Sequence, residues 1–330
     1  MSTWRASRPP SVRFAAIGRS GVWETFDMGI RMAGLAAVLA AFPLMLSPHA
    51  MGGTASALAG VRSWTYQLQG IDLRVLAATD YDLVVIDYSR DGTAAGAFSA
   101  SEIATLKTKP DGSQRFVLSY LSIGEAEDYR FYWQNDWARN RPSWLFGENP
   151  EWEGNYDIRY WDPAWQATIF GQPTSYLDRI VAAGFDGVYL DRVDAFERDD
   201  PQLGAAARKA AMTAFVNSLA AYARAGRPRF LVVPQNGEEL LSDPSYRSAI
   251  DGLAKEDLLF GAQEDQQPNS LGMLRSSLRL ISRLTAEGKP VFLAEYLNSA
   301  SDIAQVRHNA ETLGVVLFIG DRELDDAHSR

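Results

Sequence analysis

Short apolar runs that end in polar residues recur along the chain, and they predict parallel strands. In four cases an amphipathic segment leads into a glycine, and the apolar run follows directly after Gly184, Gly226, Gly288 or Gly314. A glycine at this point accepts the left-handed conformation that closes a helix. This alternation of helix and strand predicts parallel strands joined by crossover helices.

Four further runs fit the same pattern, so the chain predicts eight strands. In order they span Trp64–Gln69, Tyr81–Asp87, Phe116–Ser122, Gly187–Asp191, Phe230–Asn236, Ile250–Glu256, Val291–Tyr296 and Val315–Gly320. Eight strands favour a closed barrel over a doubly wound sheet, and no Gly-x-Gly-x-x-Gly turn follows the first strand to support a dinucleotide site. We therefore expect an α/β fold that consists of a single (β/α)8 TIM barrel.

The fourth predicted strand carries the most informative polar residue. Successive side chains of a strand alternate between its two faces, so Val188 and Leu190 share one face while Tyr189 and Asp191 share the other. In a β/α barrel the apolar face packs on helices, and chemistry takes place at the carboxyl ends of the strands. Asp191 is therefore a candidate catalytic residue. The structural alternative is that it caps the next helix or pairs with an arginine.

An aromatic-rich insertion separates the third and fourth strands. It holds six of the nine tryptophans of the chain, namely Trp133, Trp137, Trp144, Trp152, Trp161 and Trp165. A segment that follows the carboxyl end of a strand lies over the barrel mouth, where flat rings can stack on sugar faces. We expect most of these rings to form a satellite core and one or two to remain exposed to a ligand.

The first 59 residues have the features of a leader. Arg31 precedes an uncharged run over residues 33–46, and small residues end in Ala57-Leu58-Ala59. This arrangement is typical of a secretory signal peptide. A membrane anchor needs about 20 apolar residues, and the run is shorter and contains Pro43. We therefore expect residues 1–59 to be a leader and residues 60–330 to be one barrel domain, secreted or periplasmic, without a stable membrane anchor after cleavage.

The charge of the chain limits its partners. The formal net charge is −9, and removal of the leader, with five Arg and two acidic residues, leaves 27 basic and 39 acidic residues, or −12. Such a surplus disfavours nucleic acid and anionic membranes and suits a cationic substrate, although a solvated acidic surface would produce the same charge. We expect a monomer that does not bind nucleic acid.

The scarcity of cysteine and histidine restricts the chemistry. There is no Cys, and the three histidines are His49 in the leader, His308 within a predicted helix and His328 near the end. Disulfides, thiol nucleophiles and thiolate zinc sites are excluded, and a Ser-His-Asp triad has almost nothing to be built from. Catalysis falls mainly to carboxylates, and we expect no cofactor and no metal.

Carboxylates also dominate the predicted strand ends. Six of the seven polar residues there are acidic: Asp87, Glu125, Asp191, Glu256, Glu295 and Asp321, with Asn236 as the seventh. A barrel mouth with this composition suits glycoside hydrolysis, which needs one carboxylic acid and one carboxylate. It also suits a hard cation such as Ca²⁺ or Mg²⁺, which prefers oxygen ligands.

Barrel geometry selects one pair among these acids. Inward side chains of alternate strands share a layer, so Asp191 on the fourth strand and Glu256 on the sixth can lie at similar height. Their carboxyl groups are then expected about 5 to 9 Å apart, which spans both the retaining and the inverting range. Lys255 is expected to face outward.

Several longer motifs resemble glycoside hydrolase family 114, which contains endo-α-1,4-polygalactosaminidases on a β/α barrel. The motifs are Tyr81–Asp87, Tyr120–Glu127, Arg159–Pro163, Gly184–Glu197, Pro234–Glu238 and Gly252–Asp257, and the resemblance covers nearly all of residues 64–321. It implies that Asp191 and Glu256 are catalytic. It also implies substrate contacts from Asp87, Tyr120, Glu125, Asn236 and Glu295.

The leading hypothesis is a secreted endo-glycosidase of cationic α-1,4-linked galactosamine polysaccharide, with Asp191 as nucleophile or base and Glu256 as general acid. Asp194 is expected to support this site rather than perform its chemistry. The alternative is a carbohydrate-binding barrel without turnover, whose acids bind cationic sugar or a divalent cation, because a barrel fold alone does not fix function.

Overall fold

The computed structural model describes residues 56–137, 139–150 and 152–328. All eight predicted parallel strands are confirmed. They are β1 (Trp64–Gln67), β2 (Leu83–Ile86), β3 (Phe116–Ser122), β7 (Gly187–Asp191), β8 (Leu231–Pro234), β9 (Leu253–Glu256), β10 (Val291–Tyr296) and β11 (Val316–Gly320). The strands β4 to β6 belong to the insertion.

The eight strands are arranged as a TIM barrel. Strands β1, β2, β3, β7 and β8 form one parallel sheet in that order, and β9, β10 and β11 form a second one. A parallel bridge between Gln235 and Ala254 joins the two sheets. On the other side β1 meets β11 through a side chain, since Trp64 Nε1 donates to the carbonyl of Val316 at 2.9 Å. The expected (β/α)8 fold is therefore confirmed.

Helices separate the strands and cover the outside of the barrel. They are α1 (Leu73–Ala77), α2 (Ala100–Leu106), α3 (Pro163–Ile169), α4 (Tyr176–Ala182), α5 (Ala205–Gly226), α6 (Pro244–Ala249), α7 (Leu271–Thr285) and α8 (Ala300–Leu313), with 3₁₀ turns at Ala57–Gly60, Val193–Glu197 and Glu238–Ser242. Six of these eight helices start at a capping side chain that accepts an otherwise unpaired backbone N–H group. Asp162 accepts from Ala164 N at 2.8 Å, just before Pro163.

Two hydrophobic cores follow from the alternation of side chains along the strands. Tyr189 packs inside the barrel against Trp64, whose ring centre lies 6.3 Å away. Val188 and Leu190 are fully buried on the outer face, in the core formed with the helices. The expected parity of the fourth strand is confirmed, and it directs Asp191 to the barrel interior.

The insertion between β3 and β7 contains a small antiparallel sheet that the sequence analysis did not anticipate. Its strands are β4 (Glu125–Glu127), β5 (Leu145–Glu148) and β6 (Asn155–Ile158), with β6 in the middle. Trp137, Trp144 and Trp165 are buried beneath it, and Trp152 is 54 % exposed. Most of the aromatic rings thus form the expected satellite core.

The predicted leader lies mostly outside the described residues, which begin at Ser56. The four leader residues that are described, 56–59, pack on the barrel: Leu58 is fully buried in the inner core, and Ser56 Oγ donates to the carbonyl of Asp251 at 2.7 Å. The packed domain therefore includes these four residues. No helix in the described part of the chain is long and apolar enough to cross a membrane.

Candidate active site

A cavity of about 530 Å³ opens at the carboxyl ends of the barrel strands. Asp191 ends β7 and Glu256 ends β9, and both half-buried side chains line this cavity. The fold thus brings the two predicted catalytic carboxylates to one cavity. Tyr66, Tyr120 and Tyr296 line it as well, so the carboxylates are framed by phenol groups.

Asp191 is held by donors on both carboxylate oxygens. The Tyr120 hydroxyl donates to Oδ2 at 2.7 Å, and the backbone N–H of Arg192 donates to Oδ1 at 2.6 Å. Burial raises the pKa of Asp191, while the Arg192 charge and the Tyr120 hydrogen bond oppose the rise. Donors to a carboxylate stabilise its ionised form. The site therefore provides Asp191 with the partners of an anion.

The backbone at Arg192 is in the left-handed region, with φ of +58°. This conformation is uncommon for a residue with a Cβ, and it occurs where the surrounding structure enforces it, frequently at functional sites. Here the turn directs the N–H of Arg192 back to Asp191, and it begins the 3₁₀ turn that brings Asp194 to the cavity wall.

Glu256 is held in a different way. The Tyr296 hydroxyl donates to its Oε1 and the Gln235 amide donates to its Oε2. Burial raises the pKa of Glu256 to about 7; the Asp191 charge contributes to the rise, and the Tyr296 hydrogen bond opposes it. A carboxyl group with this pKa retains its proton in a large fraction of molecules at neutral pH, as a general acid requires.

The floor beneath the two carboxyl groups is aromatic. The rings of Tyr66 and Tyr189 lie 4.8 Å apart between their centres, and both side chains are almost fully buried. Burial raises the pKa of Tyr66 and of Tyr189 well above the usual value, and the charges of Glu256 and Asp191 add to the effect. Both phenols therefore stay neutral.

Asp87 lines the cavity, but its oxygens are already occupied. Arg130 Nη1 donates to Oδ1 at 2.8 Å and to Oδ2 at 2.6 Å, and the same guanidinium binds Glu127 through Nε at 2.7 Å. All three side chains are buried. Asp87 was expected to contact substrate, and that stays a prediction. The structure gives it a second role, because its ion pair with Arg130 fixes the insertion to the end of β2. Sequence reasoning missed Arg130.

Glu125 also lines the cavity and is almost fully buried, at 1 % exposure. Arg192 Nη2 lies 3.0 Å from its Oε1, and Asn149 Nδ2 donates to the same oxygen at 2.8 Å. Burial raises the pKa of Glu125 to about 7, against the effect of Arg192. The carboxyl group therefore connects the insertion sheet with the turn that holds Asp191.

Asn236 reaches the cavity from the end of β8 in a left-handed conformation, with φ of +58°. Its Oδ1 accepts from Glu256 N and from Lys255 Nζ, each at 3.2 Å. Lys255 Nζ also lies 3.4 Å from Glu238 Oε2. The outward-facing lysine beside the proposed acid thus orients Asn236, so that the amide oxygen faces the strand.

Glu295 does not line the cavity. Its side chain is fully buried, and it accepts from the backbone N–H groups of Leu259 at 2.7 Å and Phe260 at 3.2 Å. Burial raises the pKa of Glu295 to about 8. The expected substrate contact is therefore replaced by a contact to the loop after β9. The sequence pattern placed Glu295 correctly near the end of its strand, but it did not indicate that the carboxyl group binds the backbone of the loop after β9.

Several cavity residues were not anticipated, among them Arg192, Arg322, Tyr296 and Gln235. The parity of β10 held a signal for Tyr296, because Phe292 and Ala294 face the barrel interior and Tyr296 follows the same alternation. Within the described ranges, no group of three or more His, Cys, Asp or Glu side chains is placed to hold a metal ion.

The mouth of this TIM barrel holds a hydrogen-bonded aspartate and a glutamic acid with a raised pKa, and these are the residue types that glycoside hydrolysis uses. Residues 49–330 match the model of glycoside-hydrolase family GH114, and the chain belongs to that family. The protein is therefore a glycoside hydrolase by family, as the resemblance of its motifs implied.

One relative and two solved structures are similar to this chain over most of its length. An uncharacterized protein of Deinococcus radiodurans is 38 % identical over 274 residues, which cover 82 % of this chain and 83 % of the relative. The crystal structure of Aspergillus fumigatus Ega3 in complex with galactosamine is similar with a TM-score of 0.59 and 20 % identity, covering 83 % of this chain and 97 % of that one. The glycoside hydrolase domain of PelA from Pseudomonas aeruginosa gives a TM-score of 0.60 and 19 % identity, covering 81 % and 97 %. At these identities the two structures support the fold.

Proposed function

We propose that this protein is an endo-acting glycosidase that hydrolyses α-1,4-linked galactosamine polysaccharide through Asp191 and Glu256. The observation that carries the proposal is the presence of both carboxyl groups in one cavity: the two donors to Asp191 favour its ionised form, and the pKa of Glu256 is about 7. Family membership supports glycoside hydrolysis. The galactosamine bound to Ega3 supports the sugar.

In this mechanism Glu256 protonates the glycosidic oxygen as the bond to the anomeric carbon breaks. Asp191 acts on the opposite side, either as the nucleophile that forms a glycosyl-enzyme or as the base that activates water. Tyr120 and the N–H of Arg192 keep Asp191 ionised and oriented. After proton transfer, the Tyr296 hydroxyl and the Gln235 amide stabilise the Glu256 carboxylate.

The charge of the cavity supports a cationic substrate. Among the described residues that line it, eight are acidic and four are arginines. Arg130, Arg192 and Arg322 are each paired with carboxylates, so their charge is largely neutralised. A cleft with surplus negative charge attracts an amino sugar and stabilises the positive charge that develops at the anomeric carbon.

The test is incubation of the protein with α-1,4-galactosamine polymer. Hydrolysis is measured by the number of new reducing ends and by the sizes of the products. The wild-type protein should release a ladder of oligosaccharides, as expected for internal cleavage. Asp191→Asn and Glu256→Gln should each abolish hydrolysis without lowering the melting temperature by more than a few degrees. Glu311→Gln, an exposed substitution on α8, is the matched control and should retain full activity.

Two results would contradict the proposal. Activity retained in Asp191→Asn or in Glu256→Gln would remove that residue from the mechanism. Binding of the polymer by the wild-type protein without any new reducing ends would instead favour the carbohydrate-binding barrel.

We also propose that the protein acts as a monomer outside the cytoplasm. The leader pattern predicted for residues 1–59 supports export, and we expect cleavage before Ser56, because Ser56 and Leu58 pack on the barrel. Sequencing the amino terminus of the protein recovered from the producing cells tests the cleavage. A mature chain that still begins at residue 1 would contradict it.

A further inference from the structure

Arg322 connects the loop after the last strand with the loop after β9. Its Nη1 and Nη2 lie 3.1 Å and 3.2 Å from the two carboxylate oxygens of Asp257, and its Nε donates to Asp265 Oδ1 at 3.0 Å. We call these three side chains the rim clasp. Because β10 lies between β9 and β11, the clasp spans the mouth across one strand.

The rim clasp touches the direct partner of Glu256. The guanidinium carbon of Arg322 lies 4.8 Å from the ring centre of Tyr296, and the Tyr296 hydroxyl donates to Glu256 Oε1. A cation over an aromatic face at this distance attracts the ring and restricts its orientation. Arg322 therefore supports the phenol that binds the proposed acid.

The clasp also determines the position of the residue that follows Glu256. Asp257 adopts a left-handed backbone with φ of +51°, and its carboxylate is held by both terminal nitrogens of Arg322. Gly261 lies against this pair, since a Cβ there would come within 2.6 Å of Asp257 Oδ1 and 2.9 Å of Arg322 Nη2. The pair therefore occupies the space that a side chain at position 261 would need.

We propose that Arg322 is a positioning residue that controls, through Tyr296 and Asp257, the proton that Glu256 delivers to the leaving group. The proposal rests on the acid role of Glu256 given above. It gives a function to Arg322, a positive charge at the mouth of a cavity in which acidic residues outnumber arginines.

The groups that face Glu256 have opposing effects. The negative charges of Asp191 on β7 and of Asp257 raise the pKa of Glu256, while the Tyr296 hydrogen bond and the positive charge of Arg322 lower it. Tyr66 and Tyr189 face the pair from below and remain neutral.

Lys255 is the remaining cation on the same strand. It does not line the cavity, and its Nζ is paired with Glu238 and donates to Asn236. The balance at Glu256 therefore depends on Asp191, Asp257, Tyr296 and Arg322.

Arg322 and Asp257, two of the three side chains of the rim clasp, should act in opposite directions on the pKa of Glu256. Arg322→Gln removes the cation, leaves Asp257 without its partner and releases Tyr296, and each of these changes raises the pKa of Glu256. Asp257→Asn removes an anion and leaves Arg322 in place, which lowers the pKa of Glu256. A clasp that only stabilised the loops would lose activity in both variants without opposite shifts.

The experiment is the pH dependence of kcat/KM on α-1,4-galactosamine oligosaccharides. Activity is lost as pH rises through the pKa of the acid in the free enzyme, so the wild-type alkaline limb should lie near pH 7. In Arg322→Gln the limb should move up by about one pH unit, and in Asp257→Asn it should move down by about the same amount. Arg322→Lys keeps the charge and should stay closer to the wild type than Arg322→Gln does. Arg275→Gln, an exposed arginine on α7, is the matched control without a shift.

A second measurement does not require turnover. In protein labelled with ¹³C at the glutamate carboxyl carbons, the resonance missing from Glu256→Gln identifies Glu256, and its titration should show the same opposite shifts. An unchanged titration in Arg322→Gln, or shifts of the same sign in both clasp variants, would overturn the proposal. If Glu256 titrates as expected while the polymer is not cleaved, the role of Arg322 stands as a control of this proton and the proposed hydrolysis fails.

Discussion

The Tyr120 hydroxyl lies 2.7 Å from Asp191 Oδ2, and the two residues stand on neighbouring strands. In the register of β3 and β7, Tyr120 pairs with Tyr189, and Asp191 pairs with Ser122. Tyr120 therefore lies two residues before the level of Asp191, and its side chain extends toward the carboxyl end of β7 to reach it. The phenol, expected to contact substrate, already binds the proposed nucleophile or base.

Removal of this hydroxyl should impair catalysis and shift its pH dependence. Tyr120→Phe deletes a hydrogen bond that lowers the pKa of Asp191, so the pKa should rise. Because Asp191 acts as an anion, the acidic limb of kcat/KM should move to higher pH. A hydrogen bond to a charged group contributes about 1.5–3 kcal/mol, so activity at neutral pH should fall roughly ten- to hundredfold. Tyr222→Phe, at an exposed tyrosine on α5, should leave the profile unchanged. An acidic limb that stays in place would contradict this role of Tyr120.

The buried pair of Asp87 and Arg130 should be essential for stability. Arg130→Met leaves the carboxylates of Asp87 and Glu127 buried without their cation. Loss of one partner from a buried ion pair costs about 3–5 kcal/mol. Urea denaturation should show this loss at neutral pH. The triple variant Arg130→Met, Asp87→Asn, Glu127→Gln removes all three charges and should regain most of it. If Arg130→Met unfolds at the wild-type urea concentration, the ion pair does not fix the insertion.

Trp152 is the exposed ring at the cavity lip, and it should bind a sugar distant from the cleaved bond. It is 54 % exposed and lines the cavity, in contrast to the buried Trp144. Aromatic contacts contribute about 0.5–1.5 kcal/mol beyond the burial of their area. Trp152→Ala should therefore raise KM for long oligosaccharides roughly tenfold with little change for short ones. Trp152→Phe should retain most of the affinity. An equal rise in KM for all lengths would exclude a distal contact.

Glu295 should make the protein less stable as pH rises. Its pKa is about 8 in the folded protein and near 4.5 when exposed, because burial favours the neutral form. Between these values the folded state binds more protons than the unfolded state. The contribution of Glu295 is thus fully present below about pH 4.5 and is lost as pH approaches 8, with a slope of at most about 1.4 kcal/mol per pH unit. Urea denaturation at pH 5, 6.5 and 8 measures the slope.

In Glu295→Gln this slope should be reduced, whatever the absolute stability of the variant, because glutamine does not titrate. Glu311→Gln should keep the wild-type slope. Equal slopes in wild type and Glu295→Gln would show that the burial of Glu295 does not govern this pH dependence.

The sequence by itself determined the barrel and the pair of acids. The period-two alternation of side chains, the glycine before four of the strands and the polar residues at the strand ends are local properties. They located all eight parallel strands, with ends differing by at most three residues. They also directed Asp191 and Glu256 inward, since the side-chain direction along a strand follows from its parity.

Only the tertiary structure decided which polar groups are paired. Arg130 binds Asp87 across 43 residues of sequence, and Arg322 binds Asp257 across 65. Glu295 is on the strand that the sequence predicts, but it is turned to two backbone N–H groups of another loop. Such contacts depend on how loops pack over the barrel mouth, and no local periodicity encodes that packing. Burial and the neighbouring charge of Asp191 then raise the pKa of Glu256 to about 7, and burial raises the pKa of Glu125 to about 7 as well, so these values follow from the tertiary structure.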